Sequence, residues 1–459
     1  MECGVGSPTA GGKNGPMSGW LGIFIALGLC GFSLHRSWGQ FEPVACVAMV
    51  LSVVMGWIVL IRESFSLDSL FKPSIGISIL AVVASLALWF KPNVYHFLNL
   101  SGFEPIRLAT FGATLALVAL IQVVELLGKK RWAPLIYTAT CLSILFAAGL
   151  VIGMVPRPAI DVHLFNTMAA QATLQFQNMY QLEYPDIYGG AYAFKPCFPY
   201  LPGTLLWSVP GWLWGDVRWG LWLFLGLSML LVSQFKFKKA EILFLCPVIF
   251  YLIECSLVDL GLLPLFLAGL FSLKKERWIL SGFMFGLAAG GKQYAFLPLV
   301  FSSIATFFLI SRRAGATIFI TGITTATVTV LPWLINAPEV FISSTFWGLL
   351  AVPPRADALT LFALVKYFGL GWSKWLGLFV GLGGLLGACF FLSRRVVGQS
   401  LVFRVSLASG CVYGIVFLFG SQAFGNYYFL VYLFFCIALL EALSPIPAET
   451  SPQAKLKTG

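Results

Sequence analysis

The chain has 459 residues, of which 59% are hydrophobic and only 10% charged, and its mean hydropathy is +0.89. Soluble domains carry roughly 25% charged residues, so a water-soluble globular domain is excluded. The formal net charge of +11 does not point to nucleic acid, because the Lys and Arg residues fall in short loops between apolar runs, where the positive-inside bias of membrane proteins puts them.

Residues 1–16 form a Gly-rich polar tail with no cleavable signal peptide after it. Apolar spans are then expected at 17–34, 43–61, 73–90, 106–127, 133–153, 218–235, 240–255, 258–273, 278–291, 293–311, 314–335, 373–393, 402–421 and 424–443. The fold class is all-α and polytopic, with about 12–14 transmembrane helices. The domain division is a group of N-terminal transmembrane helices at 17–130, a transmembrane core at 131–350 containing the outer loop 154–200, C-terminal helices at 351–443 and a cytoplasmic tail at 444–459. Basic clusters at Lys129–Arg131, Lys236–Lys239, Lys274–Arg277, Arg312-Arg313 and Arg394–Arg404 should all face the cytoplasm. That orientation puts loop 154–200 and the stretch 336–360 outside and both termini inside. It holds only if 201–214, which contains Pro202 and Pro210, is a re-entrant or interfacial helix, since 14 residues are too few to cross upright. Most of the ten cysteines lie within apolar segments and no C-x-x-C occurs, so a disulfide framework is not expected. The three scattered histidines give no zinc site.

The outer loop carries most of the chemistry. Asp161 follows the span 133–153, and after it apolar residues recur at helical spacing (Leu164, Phe165, Met168, Ala169, Ala172) opposite Asn166, Thr167 and Gln171. The pattern predicts an amphipathic helix lying on the outer membrane surface. Asp161 either caps this helix or serves as a catalytic carboxylate, and the two roles are compatible. His163 either shares the site or belongs to the cap. Tyr180 and Tyr200 lie in a Tyr-, Gly- and Pro-rich segment suited to belt anchoring or to sugar contacts. Lys292 interrupts a small-residue run between apolar segments, an expensive position unless it faces a polar cavity or snorkels. A phosphate contact would suit it, as it would Lys195 before the re-entrant segment and Arg355 after Pro353-Pro354. Asp216 and Arg218, two apart, are either a capping Asp with a structural pair or part of the site. Asp161, Glu183 and Asp186 could offer oxygens to Mg²⁺ or Mn²⁺, though no tight D-x-D occurs. No cofactor is otherwise expected and no dedicated metal ligands are assigned.

Three blocks between about 150 and 340 resemble the GT-C superfamily of integral-membrane glycosyltransferases, and within it the bacterial mannosyltransferase-like branch. The first runs from Asp161 through Phe165 and Ala169-Ala170 to Asn178-Met179-Tyr180; the second is Tyr200-Leu201-Pro202 with Pro210; the third is Lys274–Trp278, Gly282–Ala288, Lys292, Gln293, Tyr294 and Pro298. The chain departs from the family in having about four spans before the catalytic loop and Gln177 where a Gly is usual. The resemblance implies a GT-C-like catalytic core over 131–350. It also implies a polyprenyl-phosphate sugar donor, a glycolipid or glycan acceptor, membrane lipid as surroundings and inversion at the anomeric carbon. The membrane is expected to be a bacterial plasma membrane with the site on its outer face, since the C-terminal tail carries no retrieval signal. Asp161 takes the role of catalytic base and Lys292 a contact to the donor phosphate; His163, Asn178, Tyr180, Tyr200, Asp216, Arg218, Gln293 and Tyr294 are the candidate substrate contacts, with Lys195 and Arg355 as further phosphate ligands. The alternatives are a transporter or flippase for a lipid-linked or polar solute, whose broken helices would suit "GLAAGGKQYAFLP", and a non-catalytic membrane scaffold.

Overall fold

The computed structural model describes residues 20–61, isolated positions between 79 and 124, and residues 133–190, 196–235, 237, 239–348, 353–371, 374–394 and 399–444. The expected spans 73–90 and 106–127, the tail 1–16 and Lys195 lie outside the described residues. All regular structure among them is helical, apart from one isolated antiparallel bridge between Gln40 and Ala358.

In chain order the helices are α1 (Trp20–Ser37), α2 (Pro43–Ile61), α3 (Ala133–Met154), α4 (Asp161–Leu174), α5 (Leu205–Leu213), α6 (Arg218–Gln234), α7 (Ile249–Glu254) and α8 (Asp259–Lys274). They continue as α9 (Trp278–Ala289), α10 (Phe296–Leu309), α11 (Arg312–Asn336), α12 (Pro338–Ile342), α13 (Leu361–Tyr367), α14 (Lys374–Ser393), α15 (Leu401–Leu418) and α16 (Gly425–Ala442). Six helices among the described residues are long and apolar enough to cross a membrane, or seven if the pair α5–α6, bent by 112°, is one broken span. The protein is an all-α, multi-pass membrane protein.

The hub is α15 and α16, which pack on each other and are almost wholly buried. The α1–α2 hairpin docks against them. The Ser52 hydroxyl bonds the Ala26 carbonyl (2.6 Å) within the hairpin, and the Trp57 indole N–H reaches the Cys411 carbonyl (3.3 Å) on α15. Such contacts suit a bilayer interior, where a side-chain donor finds no water and must be satisfied by protein. At the other extreme, the 25-residue α11 is mostly exposed and presents Phe319, Ile320, Val328 and Ile335 outward, as a lipid-facing helix should.

Close helix contacts are made through glycine. Gly282, Gly286 and Gly290 recur every fourth residue towards the end of α9 and face α11. A Cβ on Gly282 or Gly286 would stand 2.4 Å from the backbone carbonyl of Ile318 or Gly322. This is the small-xxx-small packing of membrane helices. Gly290 faces Thr329, seven residues before α11 ends at Asn336. At 1.5 Å per residue, the α9–α10 break therefore sits roughly 10 Å short of the C-terminal end of α11.

One of the expected spans takes a different form. Residues 240–255 do not make one helix. A 3-10 turn at Ala240–Phe244 and the six-residue α7 replace it, with Pro247 between them and left-handed Lys239 (φ 60°) and Ser256 (φ 56°) at the two ends. The stretch is almost entirely buried, which lets irregular backbone exist at membrane depth. Segment 201–214 becomes a 3-10 turn, Pro202–Thr204, followed by the nine-residue α5. It is too short to cross, as its prolines and length led us to expect.

The helices give the molecule two unlike ends. Lys274 and Lys275 close α8, Arg277 precedes α9, Arg312 and Arg313 open α11, Arg394 follows α14 and Arg404 lies in the first turn of α15. These mark one end, where Lys274 pairs with Glu441 at 2.5 Å. Asp161, Asp259, Lys292 and Asn426 lie at the opposite ends of their helices. Replacing Gly286 with Val should push α9 off α11 and lower stability by about 1–3 kcal/mol. Gly153→Ala, with nothing within 4 Å of the new Cβ, should leave it unchanged or slightly raised; thermal unfolding of both in detergent is the check.

Candidate active site

A cavity of about 1100 Å³ opens at the end away from the basic clusters. Its polar wall includes Asp161, Tyr188, Tyr200, Lys292, Arg355 and Tyr427. It draws on α4 and the loop after it, the α9–α10 break, the turn of π-helix at Ser343–Trp347, the 353–357 segment and the turn between α15 and α16. Gln40, from the turn between α1 and α2, also lines it.

Asp161 is the first residue of α4. Ile160, not Asp161, occupies the N-cap, and no side chain caps the helix. The carboxylate is left free for the cavity: Oδ1 accepts from the Val162 amide (2.8 Å) and from the Tyr188 hydroxyl (3.2 Å). Burial pushes this carboxyl above the usual aspartate range, while the Val162 and Tyr188 hydrogen bonds and the Arg355 charge pull it back.

The helix expected after Asp161 is present, and it is docked on protein through both faces. Phe165, Ala169 and Ala172 pack with Tyr180, Tyr184 and Phe198. On the expected polar face, Asn166 is buried and donates to the Ser256 carbonyl (3.3 Å), and His163 Nδ1 lies 2.7 Å from the Ser256 hydroxyl. α4 ends at Leu174, because Phe176 turns left-handed (φ 57°) and stands exposed. His163 thus points to the back of the helix and does not line the cavity. Burial lowers its pKa to about 4, with Arg218 adding to the shift and Asp216 opposing it, so it is neutral at neutral pH.

Asp216 and Arg218 also stay out of the cavity wall. Arg218 is fully buried and pairs with Asp216 (2.6 Å), and it reaches the carbonyls of Ile152 (3.2 Å) and Glu254 (3.5 Å). The pair ties α6 to the ends of α3 and α7, so of the two readings the structural one is what the geometry displays. Asn178 is structural in the same sense: it caps the 3-10 turn at Met179–Gln181 through the Tyr180 amide (3.0 Å) and bonds Asn336 (2.8 Å) at the end of α11.

Tyr180, Tyr200, Gln293 and Tyr294 do line the cavity. The Tyr180 hydroxyl donates to the Tyr200 carbonyl (2.7 Å), and the Gln293 amide donates to the carbonyls of Pro199 (2.9 Å) and Thr345 (2.8 Å). Lys292 is also on the wall, but it is already engaged. Its ammonium is held by both oxygens of Asp259, at 3.0 and 2.9 Å. Asp259 also accepts from the Asn426 amide (2.8 Å) and from the Tyr294 hydroxyl. Sequence reasoning missed Asp259, Asn426 and Tyr427. A signal for the first was available, since an Asp at the head of an apolar run is as expensive as the Lys that drew notice. Arg355 is in the wall with its guanidinium paired to Asp357 and 4.6 Å from the Phe424 ring centre. Asp357 is more than half exposed, which leaves that pair open to exchange.

Asp161 and Asp186, two of the carboxylates proposed for a divalent cation, line one small pocket beside Tyr188. Asp186 spends its carboxylate on the amides of Tyr188 (2.8 Å) and Gly190 (2.6 Å) in its own turn. Among the described residues no group of three or more His, Cys, Asp or Glu is placed to hold a metal ion.

Residues 188–352 match the model of Glycosyltransferase family 87 (GT87). The matched stretch takes in Tyr188, Tyr200, Asp259, Lys292 and Tyr294; Asp161 and Arg355 flank it. The match supports a membrane glycosyltransferase, with a sugar donor and an acceptor in a lipid setting, and does not favour the transport alternative. No curated protein and no solved structure matches the chain.

Because Arg218 is wholly buried, Asp216→Ala leaves an uncompensated charge and should cost about 3–5 kcal/mol. A large drop in the thermal unfolding temperature in detergent, larger than for Asp186→Ala in the exposed turn, is the expected result.

Proposed function

We propose that this protein transfers a sugar, with mannose as the first candidate, from a polyprenyl-phosphate donor to a glycolipid or glycan acceptor. The transfer takes place on the outer face of a bacterial plasma membrane, with both termini cytoplasmic. The observation that carries this reading is the common cavity wall of Asp161 and Arg355, at the end of the molecule opposite the basic residues. The match to a glycosyltransferase family over 188–352 supports the class of reaction.

Asp161 is the general base. Its carboxylate takes the proton of the acceptor hydroxyl as that oxygen bonds to the anomeric carbon of the donor. The bond from that carbon to the phosphate oxygen breaks in the same displacement, and the electron pair leaves with the lipid phosphate. One carboxylate acting on the acceptor gives inversion and no covalent sugar–enzyme intermediate. Arg355 stabilises the charge that gathers on the leaving phosphate; its planar guanidinium suits phosphate oxygens and can exchange its exposed carboxylate partner for them. Tyr188 keeps the base aligned. No step is assigned to a metal.

The test uses purified protein and radiolabelled polyprenyl-phosphate-mannose and -glucose, with membrane glycolipid extract as acceptor. Wild type should transfer one of the sugars, and Asp161→Asn should lose activity by about 10²- to 10⁴-fold while eluting as wild type in detergent. Equal activity in the two would discard Asp161 as base.

The pH profile is a separate check. A base must be ionised, and burial raises the Asp161 pKa, so kcat/KM should fall as pH drops through a value above the ordinary aspartate range. Tyr188→Phe removes a hydrogen bond that favours the carboxylate, so the acid limb should move to still higher pH. A shift to lower pH would contradict the assignment.

A further inference from the structure

Lys292 is the natural suspect for a phosphate contact, yet its surroundings are those of a different subsite. Its ammonium is gripped by both oxygens of Asp259 and faces three tyrosine rings, with centres at 4.7 Å (Tyr294), 4.8 Å (Tyr427) and 5.6 Å (Tyr200). The pair is formally neutral and almost wholly buried. Its geometry is locked from behind, because Asn426 and Tyr294 fill the remaining acceptor positions of Asp259 and the Tyr413 hydroxyl holds the Tyr294 carbonyl (2.9 Å). A phosphate drawn to this ammonium would be a second anion beside Asp259, whose carboxylate is wholly buried. Arg355 also bonds both oxygens of a carboxylate, Asp357, but it is partly exposed and that carboxylate is more than half exposed.

What the Lys292 site offers the cavity is neutral hydrogen bonding. An ammonium has three donors, and Asp259 uses two. The hydroxyls of Tyr200 and Tyr427, both on the cavity wall, have no hydrogen-bond partner among the described residues. One spare N–H, two phenol hydroxyls that donate or accept, and apolar ring edges between them make a set that fits a polyol and not an anion.

We propose that Lys292, Tyr200 and Tyr427 form a subsite for sugar hydroxyls, with Asp259 as the residue that positions Lys292, and that the donor phosphate is held elsewhere, at Arg355. This rests on the glycosyltransferase reading and names which part of the substrate this wall recognises. The hydroxyl belongs either to the sugar being transferred or to the acceptor glycan, and the ligands below separate the two.

The experiment measures binding of three ligands to full-length protein in detergent: bare polyprenyl phosphate, polyprenyl-phosphate-mannose, and the glycolipid acceptor. Wild type is compared with Lys292→Gln, Tyr427→Phe, Asp259→Asn and Arg355→Gln, each first shown to elute as a monodisperse species. Tyr427→Phe loses only a hydroxyl, so it keeps the test alive if Asp259→Asn does not fold. Lys292→Gln and Tyr427→Phe are expected to weaken a sugar-bearing ligand about tenfold while bare polyprenyl phosphate binds as to wild type; Arg355→Gln should weaken bare polyprenyl phosphate and the donor alike. Loss confined to the donor assigns the hydroxyl to the transferred sugar, and loss confined to the acceptor assigns it there. If Lys292→Gln weakens bare polyprenyl phosphate as much as Arg355→Gln does, or if no sugar-bearing ligand is weakened by either Lys292→Gln or Tyr427→Phe, the subsite is overturned while the glycosyltransferase reading stands. If wild type binds none of the three, that reading falls and takes the subsite with it.

Discussion

Two backbone hydrogen bonds fix the geometry of the cavity. The Leu201 amide donates to the Gly291 carbonyl (3.2 Å) and the Gly203 amide to the Gly290 carbonyl (2.7 Å). The approach is so close that a Cβ on Gly203 would stand 2.6 Å from the Gly291 nitrogen, so glycine is required there for space. This seam joins the segment before α5 to the break between α9 and α10. It sets Tyr200 over Lys292 and lets Gln293 bind the Pro199 carbonyl, and through Tyr200 it reaches Tyr180 and the aromatic cluster under α4. The break leaves backbone groups without helical partners, and the seam satisfies part of them.

The charges around the cavity divide into locked and exchangeable ones. Arg218 and Asp216, Lys274 and Glu441, and Lys292 and Asp259 are pairs with at least one partner buried. Each such pair fixes where two elements meet, and its cost in desolvation is offset by added hydrogen bonds. Arg355 is held more loosely, and it is the cation whose charge favours ionised Asp161. Burial keeps His163, two residues on from Asp161, neutral. The base is therefore flanked by a neutral imidazole behind and a cation in front whose carboxylate partner is exposed.

Much of this was legible in the sequence. Hydropathy and charge gave an all-α membrane protein, and the two prolines gave 201–214 as a segment too short to cross. Asp161, Tyr180, Tyr200, Lys292, Gln293, Tyr294 and Arg355 all reach one cavity. What failed was pairing. Sequence spacing shows that Asp216 and Arg218 can meet, because they are two apart, but it does not show that Lys292 meets Asp259, 33 residues away, or that Asn426 joins them from 167 residues away. Periodicity likewise could not say that the polar face of α4 is a packing face, where the Asn166 side chain donates to the Ser256 carbonyl and His163 meets the Ser256 hydroxyl. The span 240–255 read as a helix because its composition is apolar between Glu241 and Glu254; composition does not register the left-handed Lys239 and Ser256 that bound it.

The burial of α16 bears on how the molecule can be assembled. Its contacts include α1, nearly the whole described length away, and its first turn supplies Asn426 to Asp259. A chain is made from its N-terminus, so α1 and α2 enter the membrane long before the surface they rest on exists. Until α16 arrives, their inward faces are turned to lipid, and the apolar residues there lose nothing by it. The cost falls on the few polar groups, and Asp259 must wait without its Asn426 partner. Closure of the core and completion of the Lys292 pair's hydrogen bonds are then a single late event, so an unfinished chain has no finished site.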